Sequence, residues 1–423
     1  MFDERLVLEY FRRVREGEIE YVDRELKPEI MGGKAVSIVG PRRAGKTYYL
    51  LNLFYKHLHE AIYMDFESLE LSRLEAEDVL RILPLYEARF GIRVKWVFLD
   101  EMQNLNMWSR LVRSLLNRGH YVFISGSSSK LLPMELVTEL RGRTLTYLLL
   151  PFSFREFLNA KGFKPKLPMT ETEVARIKVL IDEYLRYGGY PEVVFSEHKD
   201  RILREYMDTI FYRDFVERKG IKSIQVARIL FEYLLQNFGN EVSIEKVRRF
   251  IESQAGISTK TTIYSYLDGL AETLSFFFLE NYSAKVFKRK KWPKKVYVCD
   301  SGIPSILQFT PNMGRLMENV VFLELLRKKN ENPSFEIYYL RGYGYEVDFV
   351  VKVKERVTEL IQVTYASDVM DVDSREFKAL LKASESLQCN DLKIITWDTE
   401  DTIFKEGMKI KLVPLWKWLF QSS

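Results

Sequence analysis

Histidine and cysteine are scarce in this chain of 423 residues, which has four of the first and two of the second. His57, His59, His120 and His198 are scattered and Cys299 lies far from Cys389, so neither a zinc cluster nor a disulfide framework is expected, and the composition fits a reducing compartment. No apolar run approaches the about 18 residues needed to cross a bilayer, and the opening MFDERLVLEYFRRVREGE is charged throughout, with no signal-peptide core. A cytoplasmic location without a membrane partner is expected. The net charge of +5 is too small to argue for nucleic acid from the average. The chain is too long for one hydrophobic core, so roughly two to four domains are expected, and 47% apolar with 29% charged residues describes globular folding.

What is present is a phosphate loop. Gly40, Pro41, Arg42, Arg43, Ala44, Gly45, Lys46 and Thr47 fit G-x-x-x-x-G-K-[ST] at every position, with Tyr48 next in the helix. Lys34 to Val39 ahead of it reads as a buried β-branched strand, and Thr47 to Leu58 behind it has helical apolar spacing. Glycine at 40 and 45 lets successive N–H groups turn inward on a β-phosphate, beside the positive end of the helix. Lys46 would neutralise β- and γ-oxygens, and the Thr47 hydroxyl would ligate Mg²⁺. ATP or ADP with Mg²⁺ is the ligand set this implies.

A second element completes the first. Lys95 to Asp100 is an apolar run ending in Asp100 and Glu101, as when a buried strand delivers carboxylates to the carboxyl edge of a parallel sheet. Asp100 would hold the Mg²⁺ shell and Glu101 would orient or deprotonate the attacking water. An extra strand between the loop strand and this one is implied. Ser127, in the run Ser125 to Ser129, is the candidate hydroxyl to sense a γ-phosphate or position water, and a plain Ser/Gly turn is the competing reading. Arg141 and Arg143 bracket Gly142, where an arginine would reach a γ-phosphate in cis or across a subunit boundary; a solvated pair is the alternative.

Periodicity divides the chain. Strands at Ile62 to Phe66, Lys95 to Asp100, His120 to Ser125 and Arg143 to Leu150 alternate with helices at Glu75 to Phe90 and Met107 to Arg118, which predicts a parallel sheet covered on both faces. Residues 1–164 thus read as an α/β ATPase core. Residues 165–222 read as a helical lid, with helices Thr170 to Gly188 and Asp200 to Gly220 separated by Gly188-Gly189-Tyr190-Pro191-Glu192. Residues 223–300 hold three helical segments, Ile224 to Phe238, Ser243 to Ser253 and Ser258 to Ala271, with Ser243 and Ser258 as N-caps. Strand-like runs Leu274 to Glu280 and Lys295 to Asp300 follow, the outline of a winged helix. Between those runs lie Lys285, Lys288, Arg289, Lys290, Lys291, Lys294 and Lys295, interleaved with Phe287 and Trp292. With Lys260 at the start of the third helix, Lys288, Arg289, Lys290 and Lys291 are the candidates to grip DNA phosphates, against the alternatives of a protein-binding surface or a merely solvated loop.

Residues 301–423 predict a further α/β domain. A helix at Gly314 to Lys329 carries Glu318 and Glu324, and strands follow at Glu336 to Leu340, Glu346 to Val353, Glu359 to Thr364 and Leu392 to Trp397. A helix near Arg375 to Leu387 lies among them, and an amphipathic end covers Val413 to Phe420. Acids Glu318, Glu346 and Asp348 near strand bends invite comparison with Mg²⁺ nucleases.

GPRRAGKT (40–47), VFLDEMQN (97–104) with Trp108, ISGSSSKLL (124–132), LRGRTLTYLLLPFSFREFL (140–158), YGGYPEVV (187–194) and YRDFVERKGI (212–221) together carry a resemblance. The chain resembles, over nearly its whole length, the archaeal and bacterial AAA+-type ATPases whose C-terminal half is a domain of unknown function. That resemblance implies ATP and Mg²⁺, a nucleotide-sensing role for Arg143, and a winged helix joined to a restriction-endonuclease-like domain. Glu318 and Asp348 match the helix acid and first strand acid of such nucleases. Gln362 stands where the second acid belongs and Thr364 where the lysine belongs, so a conventional nuclease site is not expected. The function expected is Mg²⁺-dependent ATP hydrolysis coupled to the C-terminal half on DNA. An ATP-gated nuclease and a signalling or scaffold switch that binds proteins are the alternatives, and an oligomer fits each.

Overall fold

The computed structural model describes residues 3–126, 138–164, 168–256, 259–285, 289, 291, 293–307 and 312–421. The chain divides into two compact units, Met1–Leu150 and Pro151–Ser423. Among the described residues no helix is long and apolar enough to cross a membrane.

The first unit opens with α1 (Glu4–Glu16), capped by the Asp3 carboxylate, which accepts from the Arg5 amide at 2.9 Å. Its charges hid it from the sequence reading, although Val7, Tyr10 and Phe11 have helical spacing and are buried. Strands β1 (Ala35–Val39), β2 (Ala61–Asp65), β3 (Trp96–Asp100), β4 (Tyr121–Gly126) and β5 (Thr144–Leu148) follow, with α2 (Lys46–Lys56), α3 (Ala76–Phe90) and α4 (Trp108–Asn117) between them. All five strands are parallel, in the order β2-β3-β4-β1-β5, so β4 is the extra strand expected between loop strand and acid-bearing strand. β1 is buried at every residue, as a central parallel strand must be, and α2 lays Tyr49, Leu50 and Phe54 on Val36, Ile38, Tyr63, Phe98 and Phe123. Emptying the Phe98 site by truncation to alanine removes a contact worth about 3–5 kcal/mol.

The second unit begins with helices. α5 (Phe154–Ala160) and α6 (Glu171–Tyr187) both start on capping boxes, Ser153 with Glu156 and Thr170 with Glu173. α7 (Pro191–Phe195) has proline in its first turn, and α8 (Lys199–Thr209) widens into a π-helix over Ile210–Glu217, which overlaps the start of the YRDFVERKGI run. Next come α9 (Ile224–Gln236), β6 (Glu241–Val242), α10 (Ile244–Ala255), α11 (Lys260–Glu272), β7 (Phe276–Leu279) and β8 (Lys294–Val298), with the three strands hydrogen-bonded in the order β6-β8-β7. Thr259 caps α11, its hydroxyl accepting from the Thr262 amide at 3.1 Å. Ser243 precedes α10 without a side-chain cap bond, and Ser258 lies outside the described residues. The two-residue β6 was too short to carry a periodic signal.

α12 (Gly302–Ser305) and α13 (Met313–Glu331) lead into β9 (Phe335–Gly342), β10 (Tyr345–Val353) and β11 (Arg356–Val363), an antiparallel meander. α14 (Ser374–Leu387), β12 (Leu392–Thr396), β13 (Asp401–Lys405), β14 (Met408–Pro414) and α15 (Leu415–Gln421) complete a mixed sheet of order β13-β14-β12-β11-β10-β9. The expected amphipathic end is thus strand up to Pro414 and helix only from Leu415. The β13–β14 hairpin turns on Glu406 and Gly407, both at positive φ (50° and 76°), a turn chemistry that the sequence reading passed over. Adjacent residues of β10 point to opposite faces: Val350 joins the core under Phe377 of α14, whereas Phe349 meets Tyr297, itself stacked on Phe322 of α13.

The glycine pair after α6 has a second role beyond ending a helix. Asp300, fully buried after β8, accepts from the Gly189 amide at 2.7 Å and the Gly302 amide at 2.9 Å. Gly188 has φ 75°, and a Cβ there would lie 1.7 Å from Asp300 Oδ1. Burial pushes the Asp300 carboxyl up to about 6, against the two amide donors and Arg327. A folded value above the unfolded one means that the native state keeps a proton between about pH 4 and 6, so stability falls as pH rises through that window, by on the order of 3 kcal/mol. Asp300→Asn is expected to lower stability by ~1–3 kcal/mol through one mismatched amide and to flatten the pH 4–6 slope in urea unfolding. Gly188→Ala should cost at least ~3 kcal/mol by the same measurement.

Candidate nucleotide-binding site

The loop from Gly40 to Thr47 leaves the carboxyl end of β1 and turns into α2. Its geometry is set by close backbone approach: a Cβ on Gly40 would lie 2.1 Å from the Leu149 carbonyl oxygen, and the Leu149 amide donates to the Val39 carbonyl at 2.7 Å. Gly45 caps α2 at φ 96°, a conformation that only glycine adopts without strain, while Arg43 sits at φ 65°. Pro41 and Ala44 are buried, Arg42 is half-buried, and Arg43 and Tyr48 are exposed. Lys46 is 5% exposed, and its ammonium donates to the Gly40 and Pro41 carbonyls at 3.0 and 2.9 Å, so the charge is held within the loop. Arg24 braces the loop from outside, donating to the Ala44 carbonyl at 3.0 Å and the Leu150 carbonyl at 2.5 Å.

The parallel register brings the acids to the same edge. Val39 pairs with Gly126, Leu99 with Ile124 and Asp65 with Asp100. Asp100 is fully buried and its carboxylate is oriented by neutral donors: the Tyr63 hydroxyl at 2.8 Å, the Glu101 amide at 3.1 Å and the Ser125 hydroxyl. A carboxylate offers about four acceptor sites, so these donors leave capacity for one more partner. Glu101 has φ 49°, an unusual backbone for glutamate, and takes a hydrogen bond from the Gln103 amide; strain of this kind concentrates where a side chain must be aimed. The hydroxyl of Thr47 and the carboxylate of Asp100 are the hard oxygen donors that Mg²⁺ prefers, and they fit that ion.

Three residues here escaped the sequence reading. Ser125, next to last in β4, binds Asp100, and Ser127, expected to sense a γ-phosphate or position water, lies outside the described residues. Tyr63 and Asp65 come from β2. Burial raises the Asp65 carboxyl to about 6, with Asp100, Glu67 and Glu101 adding to the shift and the Glu67 amide opposing it. Burial first, then Asp100, holds the Tyr63 hydroxyl well above the usual tyrosine range, so it stays a donor. Alternation of polar with apolar residues at strand ends was the available signal, and it cannot name which strands are neighbours.

Arg141 and Arg143 are not brought to this edge. Thr144 pairs with Ala35, so Arg143 and Arg141 stand at the amino edge of the sheet, opposite the loop, and Arg143 donates to Asn117 Oδ1 at 2.7 Å. Lys260 pairs with Glu245 at 3.2 Å. Arg289 is packed over the Tyr338 and Tyr282 rings and donates to the Tyr338 hydroxyl at 2.8 Å. Lys291 is exposed, and Lys288 and Lys290 lie outside the described residues.

A glycine loop on a central strand, with an acid pair two strands away across an inserted strand, defines a P-loop domain of the AAA type. A family model described as an AAA domain matches residues 32–158, and two described as domains of unknown function (DUF8612 and DUF4143) match residues 178–312 and 313–418. The uncharacterized protein MJ1544 of Methanocaldococcus jannaschii is 36% identical over 410 residues, covering 94% of this chain and 90% of that protein. The chain belongs to the family of this archaeal protein. An uncharacterized protein of Haemophilus influenzae is 28% identical over 346 residues, covering 78% of this chain and 82% of the other. Among solved structures, the Thermotoga maritima RuvB Holliday junction branch migration motor is 14% identical over 66% of this chain and 88% of its own, with a TM-score of 0.27, too low to carry an argument.

Replacing Gly40 by alanine puts a methyl group against the Leu149 carbonyl, so melting temperature is expected to fall by several degrees. An unchanged melting curve would contradict the close packing of loop on strand end.

Proposed function

We infer that the first unit binds ATP with Mg²⁺ and hydrolyses it. The observation that carries this reading is the convergence of Lys46, Thr47 and the Asp100–Glu101 pair on one sheet edge, with Ser125 of the intervening strand fastened to Asp100. Amides of the Gly40–Thr47 loop and the Lys46 ammonium would hold the β- and γ-phosphates, Thr47 and Asp100 the Mg²⁺, and Glu101 the attacking water. Mg²⁺, when bound, would neutralise phosphate charge. Arg143, on the opposite edge of its own sheet, would serve a γ-phosphate only across a subunit boundary, which makes an oligomer part of the proposal.

Lys46→Ala should abolish nucleotide binding by calorimetry and turnover by phosphate release. Glu101→Gln should keep binding while lowering turnover at least ~100-fold, and Ser125→Ala should slow turnover ~10-fold with little change in affinity. Loss of binding in Glu101→Gln would make that residue structural.

DNA is the partner we propose for residues 223–300. The order helix, strand, helix, helix, strand, strand from α9 to β8, with β6 against β8, supports a winged-helix reading, and the basic stretch lies where a wing would. Affinity for duplex DNA should fall steeply with salt. Neutralising Lys288, Lys290 and Lys291 should shallow the log–log slope by about one per lost phosphate contact. Absence of salt-dependent binding would favour the protein-binding switch.

A further inference from the structure

The acids that invited comparison with a nuclease surround a lysine. Lys295 of β8 is 3% exposed, and its ammonium contacts Glu318 of α13 at 3.0 Å, and Glu346 and Asp348 of β10 at 2.8 and 2.9 Å. Asp348 is aimed by an irregularity in β10, where the pairing with β9 shifts between Val347 and Val350. Its other oxygen accepts from the Val363 amide at 3.0 Å. The Tyr297 hydroxyl donates to the same Glu318 oxygen as Lys295, at 2.6 Å. Gln362 is a cross-link: its oxygen accepts from the Asp348 amide at 2.7 Å, and its nitrogen donates to the Glu346 carbonyl at 2.9 Å and to Glu376 at 2.5 Å.

These residues do not fit a divalent ion. The oxygens of Glu318, Glu346 and Asp348 that face one another already face the ammonium, and a dication at coordination distance from them would sit against a buried positive charge. The Gln362 oxygen is engaged by the Asp348 amide and brings no negative charge. Among the described residues no cluster of His, Cys, Asp and Glu is arranged to hold a metal ion. The geometry instead balances charge internally: Glu318 and Glu376 are each raised to about 7, by burial and then by Asp348, so the cluster tempers its negative charge with protons as well as with the lysine.

We propose that the Lys295 ammonium is the resident cation of this carboxylate centre, taking the place of a metal, and that the centre joins β8 to α13 and β10 instead of cleaving phosphodiesters. The joint is reinforced by Asn319, whose side-chain amide exchanges two hydrogen bonds with the Val298 backbone at 2.9 and 3.1 Å. The lysine that the nuclease pattern lacks at Thr364 is thus supplied from a different strand, but into the position of the cation and not beside it.

Mn²⁺ binding by the full chain, read by electron paramagnetic resonance without nucleotide, tests this. The wild-type protein and Asp348→Asn are expected to bind Mn²⁺ equally and weakly. Lys295→Met, which keeps the apolar stem and removes the charge, should gain at least ~10-fold in affinity at one site, and adding Asp348→Asn should abolish that gain. Mn²⁺ should raise the melting temperature of Lys295→Met and not that of the wild type. Asp348-dependent Mn²⁺ binding by the wild-type protein, Asp348-dependent cleavage of DNA, or folded Lys295→Met without added affinity would each overturn the proposal. Should Lys295→Met not fold, the comparison of wild type with Asp348→Asn decides alone: equal binding upholds the proposal and unequal binding overturns it.

Discussion

The register of β1, β4 and β3 is the constraint on which the first unit depends. Three parallel strands ending at one level place the loop after Val39, the hydroxyl of Ser125 and the carboxylate of Asp100 side by side without any long side chain having to reach. Burial of all of β1, and of β4 from Val122 onward, beneath α2 fixes that level, because sliding a strand by one residue would turn every core side chain to the other face. Gly40 then transmits it: the loop can begin where it does only because nothing projects from its first α-carbon toward Leu149.

Much of this was legible, and the reason is local. The Gly40–Thr47 loop, the apolar run into Asp100 and the alternating elements of residues 35–150 are signals contained in short windows, and each of the five strands falls within a residue or two of its expected place. The inserted strand followed from Asp100 and Glu101 being adjacent. What was not legible depends on neighbours distant in sequence. Tyr63 and Ser125 are unremarkable strand residues until the sheet order sets them on either side of Asp100. Arg143 was expected to reach a γ-phosphate in cis or across a subunit boundary, and parallel pairing puts the start of β5 at the far edge from the end of β1.

Charge was the least reliable guide. Within the basic stretch 285–295, Arg289 is spent on Tyr338, Tyr282 and Glu336, Lys294 on Glu280, and Lys295 on three acids. A run of like charges reads as one surface, but a strand alternates its side chains between two faces, so Lys294 and Lys295 go to different partners. Glu324 shows the same from the acidic side: one helical turn and a half beyond Glu318, it is buried between Arg155 and Arg327, a local balance without any metal.

The two carboxylate centres therefore differ in what surrounds them more than in their acids. Around Asp100 the buried donors are hydroxyls and a backbone amide, which orient the carboxylate without cancelling its charge and leave it acceptor capacity. Around Asp348 the donor at the centre is an ammonium that touches three carboxylates at once. Burying an acid beside neutral donors stores unbalanced negative charge, which is costly unless a cation arrives, and the nearby Asp65 raised to about 6 shows that cost within the same unit. Burying acids around a lysine settles the balance at folding and leaves nothing for a dissociable ion to complete. A centre can await its cation or carry it in the chain, and the proposed Mg²⁺ site and the proposed lysine centre are one of each.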